Sequence, residues 1–518
     1  MDFYLPPLIQ ALLEAPRYPD AVQRVELVQT HISWVLLAGD FAYKIKKPLK
    51  LSFLDFSTLA QRQRCCLDEL RLNRRFAPDL YLEVIGIFNT AQDPRWSGPG
   101  APIEYAVRMR RFDEAGRLDR VCERGELQPA HLSDLADTLV AFHAQAAVAP
   151  PASRFGEPPQ IIAPARDNFD DLLLRLSSDP LLVTRLATLR EWTEAQFQQL
   201  SPLMQMRKQA GRVRECHGDL HLANLVLIGS RVQMFDCIEF NEDLRWIDVA
   251  SEIAFLYVDL LAHGQPGLAG WFLNEVLSSS GDYEAAPLLR FYAVYRALVR
   301  AKVAAIRAGQ TGGDAQEAQV YIALAERLIA PPPARLVITH GLSGCGKTAA
   351  SSDSLQRDPA ASVLRLRSDV ERKRLFGLTP SGRSGSGTNA GIYAAEASQR
   401  TYAHLRTLAG MLLRAGWSVI VDAAFLKRIE RSSFRDLARE VGAAFSILAP
   451  QATLAQLRER IAARRAQGRD ASEATLDVLA QQLQTVEPLA GDEGPILPAA
   501  PGASERVAQL RSGDGAAA

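Results

Sequence analysis

Three side chains in the middle of the chain have the types and spacing needed for phosphoryl transfer. In His217-Gly218-Asp219-Leu220-His221-Leu222-Ala223-Asn224 an Asp is followed five residues later by an Asn, and an apolar run then leads to Met234-Phe235-Asp236. Transfer of this kind depends on positioning and on metal ions rather than on covalent chemistry. It needs a carboxylate facing the acceptor hydroxyl and oxygen ligands for magnesium. Asp219 suits the base, and Asn224 and Asp236 suit the ligands. Asp219 and Asn224 would otherwise be turn caps, which leaves the eight-residue pattern and the downstream Asp unexplained.

A second group of residues lies further on. Gly341-Leu342-Ser343-Gly344-Cys345-Gly346-Lys347-Thr348 fulfils G-x-x-x-x-G-K-[ST] directly after the strand-like stretch Arg335 to Thr339. Gly341, Ser343, Gly344, Cys345 and Gly346 would wrap backbone N–H groups round ATP phosphates at a helix N-terminus, while Lys347 reaches the terminal phosphates and Thr348 ligates magnesium. The next apolar run, Ser362 to Leu366, ends in Arg367-Ser368-Asp369, with Arg372 three residues beyond the Asp. A carboxylate at the C-terminal end of a strand faces the ligand crevice of an open α/β sheet, so Asp369 is a candidate base, with Arg372 a candidate to hold an acceptor phosphate. A helix cap with a surface Arg is the plainer reading. Trp417 to Val421 is a strand ending in Asp422, which matches a Walker B carboxylate holding magnesium through water.

The elements that must position these residues fall into two domains. With 518 residues the chain exceeds what one core usually supports. Pro331-Pro332-Pro333 is a stiff break, so residues 1–330 are expected to form one domain and 331–490 a second, with a Pro-, Gly- and Ala-rich tail over 491–518. Chain beyond about Glu487 is expected to fray. In the first domain, Val25 to Lys47 reads as strands and turns, Gln61 to Phe76 as a helix, and Ile103 to Phe112 as a strand. Pro150 to Pro164 reads as a proline-rich loop, and Ser381 to Gly391 as a Gly- and Ser-rich substrate loop.

Bulk properties narrow the partners. Lys plus Arg and Asp plus Glu are 59 each, which argues against a general nucleic-acid or anionic-membrane binder. From residue 331 onward 24 basic residues face 18 acidic ones, so the second part is mildly basic. Six cysteines, Cys65 and Cys66 adjacent and the others scattered, form no disulfide framework or zinc spacing and read as reduced thiols in a cytoplasm. No apolar run approaches a bilayer span, and no basic leader is seen.

The H-G-D-x-x-x-x-N loop resembles the aminoglycoside phosphotransferase and choline kinase branch of the protein-kinase-like fold. That resemblance implies an α+β bilobal domain with an N-lobe over about 1–112 and a C-lobe over about 113–330. It places Phe41-Ala42-Tyr43-Lys44 on the V-A-I-K strand, making Lys44 the ligand of the ATP phosphates, with Lys46 in reserve. Glu69 is then the partner of that lysine, with Asp68 as competitor. The phosphate-covering loop should fall at Thr30-His31-Ile32-Ser33, yet no G-x-G-x-x-G is present there, so its contacts stay unassigned. Asp248 resembles the family's structural Asp. The second half resembles an α/β P-loop kinase or ATPase with a parallel sheet. Its S-D-x-x-R arrangement is similar to polynucleotide 5′-kinases and to small P-loop kinases for gluconate and chloramphenicol. Among Arg458, Arg460, Arg464, Arg465 and Arg469, Arg464 resembles the lid arginine of such enzymes.

The whole chain therefore resembles bacterial fusions of these two domains. The expected activity is a cytosolic double phosphotransferase using ATP and Mg2+, acting on hydroxyls of small metabolites or sugars in the first domain. The second would act on a small molecule or a nucleic-acid 5′ end. Two alternatives stay open: one catalytic kinase domain regulated by a nucleotide-binding module, or a nucleic-acid repair kinase with a binding platform. Acceptors and oligomeric state are not specified by the sequence.

Overall fold

The computed structural model describes residues 5–20, 22–51, 54–311, 313–380, 382–386, 390–467 and 472–497, without the side chains of 310–311 and 464–467. The chain forms two compact units that alternate along the sequence. One comprises 1–127, 141–161 and 203–252; the other comprises 128–140, 162–202 and 253–518.

The first unit is built on an antiparallel sheet. Its strands are β1 (Val25–Gln29), β2 (Ser33–Ala38) and β3 (Phe41–Lys46). The helix α1 (Leu59–Asn73) follows, then β4 (Tyr81–Asn89), β5 (Pro94–Arg95) and β6 (Glu104–Arg110). The spatial order is β1-β2-β3-β6-β4-β5. Alternation along β3 sends Tyr43 and Ile45 into a core with Leu36 and Ile87, which leaves Lys44 and Lys46 on the opposite face. Helix α1 starts at a capping box in which Thr58 and Gln61 satisfy each other's backbone N–H groups. It buries Arg62, Cys65, Cys66, Glu69, Leu72 and Asn73 along one stripe. A hairpin of β7 (Leu225–Ile228) and β8 (Arg231–Met234) pairs Leu225 with Met234. That register brings Asn224 and Asp236, at its two open ends, to one place. The expected proline loop is shorter than read: Pro158 opens a helix, Pro158–Leu176, with Pro164 inside it. Proline suits a first helical turn, because the N–H it lacks would be unpaired there anyway.

The second unit joins helices to a parallel sheet. Helices α2 (Pro266–Ser280) and α3 (Ala286–Thr311) precede β9 (Arg335–Thr339), α4 (Lys347–Gln356), β10 (Val363–Arg367) and α5 (Ser368–Leu375). Then come α6 (Ala395–Arg414), β11 (Ser418–Asp422), α7 (Arg428–Glu440), β12 (Ala444–Leu448), α8 (Leu454–Gln467), α9 (Leu476–Thr485) and β13 (Ile496–Leu497). The sheet runs β10-β11-β9-β12-β13, all parallel. Its end strand β10 is closed by a side chain from α2. Asn274 Nδ2 donates to the Val363 carbonyl at 2.8 Å, and Asn274 Oδ1 accepts from the Arg365 N–H at 2.6 Å. Trp417 Nε1 donates to the Ala286 carbonyl at 3.0 Å, and Tyr257 donates to the Ala361 carbonyl at 3.2 Å.

The tail corrects an expectation. Residues 487–497 do not fray: Arg431, almost wholly buried, forks onto the Glu493 carboxylate, and β13 pairs with β12. A buried guanidinium cannot be left without its carboxylate, so this stretch is held in place. Residues 498–518 lie outside the described ones.

Asn274→Ala would strand one buried N–H and one buried carbonyl. A stability loss of about 2–3 kcal/mol is expected in urea unfolding; an unchanged midpoint would mean that the edge of β10 is closed by something else.

Candidate functional sites

The first site forms where β3, α1 and the β7–β8 hairpin meet. Lys44 Nζ lies 2.8 Å from Glu69 Oε1 and also binds the Asp236 carboxylate. The partner of Lys44 is thus Glu69; Asp68 instead faces Arg71 at 3.4 Å on a more open surface. Lys46 is not a spare phosphate ligand. It is buried, 2.7 Å from Glu69 Oε2, and also pairs with Glu239. Sequence reading missed Glu239, one of several acids in the segment 236–243 with no motif to single it out. Burial opposes charge on Glu69, but the Lys44 and Lys46 ammonium groups outweigh it and hold the carboxyl down at about 2. Burial pushes Glu239 up, with Lys46 pulling the other way.

Asp236 sits at φ 62°, a left-handed backbone that, outside Gly, favours residues such as Asn and Asp. Its backbone N–H donates to the Tyr81 hydroxyl at 3.0 Å, and the next N–H, of Cys237, donates to Asn73 Oδ1 at 2.9 Å. Helix α1 and β4 thereby hold the turn that aims the carboxylate.

The loop that carries Asp219 is held by its own Asn and by its neighbours. Asn224 Nδ2 donates to Asp219 Oδ2 and to the Asp219 carbonyl, both at 3.0 Å, and His221 Nε2 lies 3.3 Å from the same carboxylate. Gly218 has φ +88°, and a Cβ there would meet the Leu244 carbonyl at 2.8 Å, so no other residue fits. His217 is fully buried; its Nε2 lies 2.8 Å from the Phe235 carbonyl, and burial lowers its basicity. Both oxygens of Glu252 accept from the His217 N–H at 3.1 and 3.0 Å. Burial raises the Glu252 carboxyl, but the His143 ring 3.8 Å away and its other neighbours bring it to about 2. Asp248 takes a bidentate pair from buried Arg207, both contacts at 2.8 Å, a supporting role rather than a chemical one. The expected phosphate-covering segment is the β1–β2 turn, where Thr30 Oγ1 accepts from the Ser33 N–H at 2.9 Å.

The second site lies at the C-terminal ends of β9, β10 and β11. Lys347 Nζ donates to the Gly341 and Leu342 carbonyls at 2.8 and 2.9 Å, so its ammonium is folded back over the loop. Gly344 has φ +85° and its missing Cβ would lie 2.8 Å from the Leu457 carbonyl of α8. The Ser343 N–H donates to Gln482 Oε1 of α9 at 2.8 Å, a contact with no sequence signal. Cys345 is buried with Leu457, Ile461 and Leu479. Thr348 falls in the first turn of α4. Asp422 ends β11 opposite Arg367 and accepts from Ser351 Oγ at 3.2 Å. Asp369 occupies the first turn of α5, and Arg372, one turn on, is buried. The side chain of Arg464 lies outside the described ones.

Residues 66–281 match the family described as "Phosphotransferase enzyme family", and residues 336–489 match one described as "AAA domain". The chain is a two-domain, ATP-dependent kinase. Uncharacterized proteins of Mycobacterium tuberculosis and Mycobacterium bovis are 29% identical to this kinase over 452 residues, covering 86% of it and 88% of their own length. A choline/ethanolamine kinase family protein from Mesorhizobium loti is 14% identical, with TM-score 0.40, over 63% of the kinase and 96% of that chain. A putative kinase from Chloroflexus aurantiacus is 19% identical, with TM-score 0.26, over 32% of the kinase and 88% of that chain. Among the described residues no helix is long and apolar enough to cross a membrane.

Glu69 and Glu252 have folded values depressed to about 2 from an ordinary 4.5, so their stabilisation is complete above 4.5 and is lost as pH falls toward 2. Urea midpoints measured down this range should fall steeply, and less steeply in Glu252→Gln. Equal slopes in the two proteins would exclude Glu252 as a source. Glu239→Ala takes away one of the two carboxylates that face buried Lys46 and leaves Glu69, so it should lose about 1–3 kcal/mol in the same assay.

Proposed function

We propose that both nucleotide sites of this kinase transfer the γ-phosphate of ATP to hydroxyl groups, on a different acceptor at each. The observation that carries the first site is the chain of contacts Glu69–Lys44–Asp236. It sets an ammonium group between a fixed carboxylate and a carboxylate aimed from the hairpin, as needed to hold ATP phosphates. Asp219, with its carboxylate oriented by Asn224 and His221, takes the proton of the acceptor hydroxyl. The acceptor here is a small polar metabolite or sugar.

The donor sets suit a hard cation. Asn224 and Asp236 in the first site, and Thr348 with Asp422 in the second, offer only oxygen ligands of the kind Mg2+ prefers. When bound, Mg2+ would neutralise phosphate charge in both ground and transition states. In the second site Lys347 would leave its loop carbonyls for the phosphates, the loop amides would cradle them, and Asp369 would act as the base.

A second reading has one domain regulating the other, and a specific observation favours keeping it. Helix α2, from the region matched to the phosphotransferase family, closes the edge of the strand that leads into the helix carrying Asp369.

The test separates the two. Transfer from labelled ATP to a metabolite library is expected to split: Asp219→Asn abolishes transfer to one set of acceptors by about 10²-fold or more, and Lys347→Ala abolishes it for another. If one substitution silences every acceptor and the other none, the two-transferase reading fails and the regulatory one stands.

A further inference from the structure

Two buried donors of the second site carry an unmet hydrogen-bonding demand. The Tyr393 hydroxyl and Arg372 Nε are both shielded from solvent and have no hydrogen-bond partner. The rest of Arg372 is fixed: Nη1 donates to the Ile392 carbonyl at 2.7 Å and to Ser398 Oγ at 3.2 Å, and the guanidinium lies 5.2 Å from the centre of the Tyr393 ring. Asp369 stands one helical turn before Arg372 and acts electrostatically on Tyr393. Burial raises the Tyr393 phenol and the Asp369 charge adds to it, so the hydroxyl keeps its proton and is a donor. Buried donors without acceptors are rare in folded proteins. Two of them beside a carboxylate at the end of a β-strand, on the P-loop side of the sheet, mark a place for a ligand.

We propose that Asp369, Arg372 and Tyr393 form the acceptor pocket of the P-loop site, and that its acceptor is a small hydroxylated anion, with a hydroxyl close to a carboxylate or phosphate group. The proposal rests on the reading of this site as a phosphotransferase. The pocket offers one acceptor and two donors, one of them cationic. The matching ligand donates a hydroxyl proton toward Asp369 and places an anionic oxygen between Arg372 Nε and the Tyr393 hydroxyl. In the reaction the acceptor oxygen bonds to the γ-phosphorus of ATP. The bond from that phosphorus to the β,γ-bridging oxygen breaks with its electron pair going to ADP, and the acceptor proton passes to Asp369.

The surroundings favour a small acceptor over a polynucleotide. Lys373 is paired with Glu473 at 3.2 Å, and Arg374 is paired with Glu371. Glu473 also accepts from the Ser384 N–H at 2.9 Å, which sets a carboxylate beside the Gly- and Ser-rich segment next to the pocket. A phosphate backbone needs a basic track, and here the two cations that follow Arg372 on its helix are already paired with carboxylates.

The experiment uses the full chain and labelled ATP with matched probes: glycerate and gluconate, glycerol phosphate and glucose phosphate, neutral glycerol and glucitol, and an oligonucleotide with a free 5′ hydroxyl. Transfer to carboxylates or phosphates that disappears in Lys347→Ala is expected, with little transfer to the neutral polyols. The carboxylate and phosphate arms then tell which anion the pocket prefers. Tyr393→Phe keeps the ring and removes only the hydroxyl, so KM for the anionic acceptor should rise about tenfold or more, with kcat and the KM for ATP little changed. An unchanged acceptor KM in Tyr393→Phe overturns the pocket. Lys347-dependent transfer confined to glycerol, glucitol or the oligonucleotide overturns the acceptor class and leaves the phosphotransferase reading intact. No Lys347-dependent transfer to any probe overturns both.

Discussion

Two lysine charges on one face of β3 have been taken out of water, and much of the first unit exists to make that tolerable. Lys44 and Lys46 are separated by one residue and share the two oxygens of Glu69. An unpaired ammonium at either depth would cost several kcal/mol. The sheet, α1 and the hairpin must therefore arrive together: Glu69 comes from the helix, Asp236 from the end of the hairpin, Glu239 from just beyond. The division of labour follows. Lys46 has both partners buried and serves to hold the face together, whereas Lys44 faces a half-exposed Asp236 and keeps access to a ligand.

How much of this was legible depends on whether chemistry or packing set the residue. Asp219, Asn224, Asp236 and the Gly341–Thr348 loop could be read because their spacing is dictated by phosphate geometry, which recurs in many chains. The placement of Lys44 came from strand alternation and resemblance, and alternation alone left Lys46 equally eligible. Only the second carboxylate, Glu239, distinguishes them, and one acid in a stretch that also holds Asp236, Glu242 and Asp243 carries no signal of its own. Gln482 and Asn274 were invisible for the same reason: each satisfies backbone groups of an element far away in sequence. The tail was misread because composition reports average behaviour, while one buried Arg431 decides the fate of 487–497.

The second site shows how a sheet edge can be closed by a side chain. A primary amide carries one donor and one acceptor in nearly the geometry of a peptide group, so Asn274 presents to β10 what a neighbouring strand would present. Asp369 sits just beyond the end of that strand, and its backbone is thereby steadied from α2.

The alternation of the two units along the chain has a consequence for synthesis. Residues 128–140 and 162–202 leave the ribosome long before β9 to β13, yet they belong to the same compact unit. A nascent chain must therefore carry unfinished helices while the later sheet is made. Closing such long loops slows folding and lengthens exposure of apolar surface. The first half of the chain therefore supplies part of a unit that the second half completes.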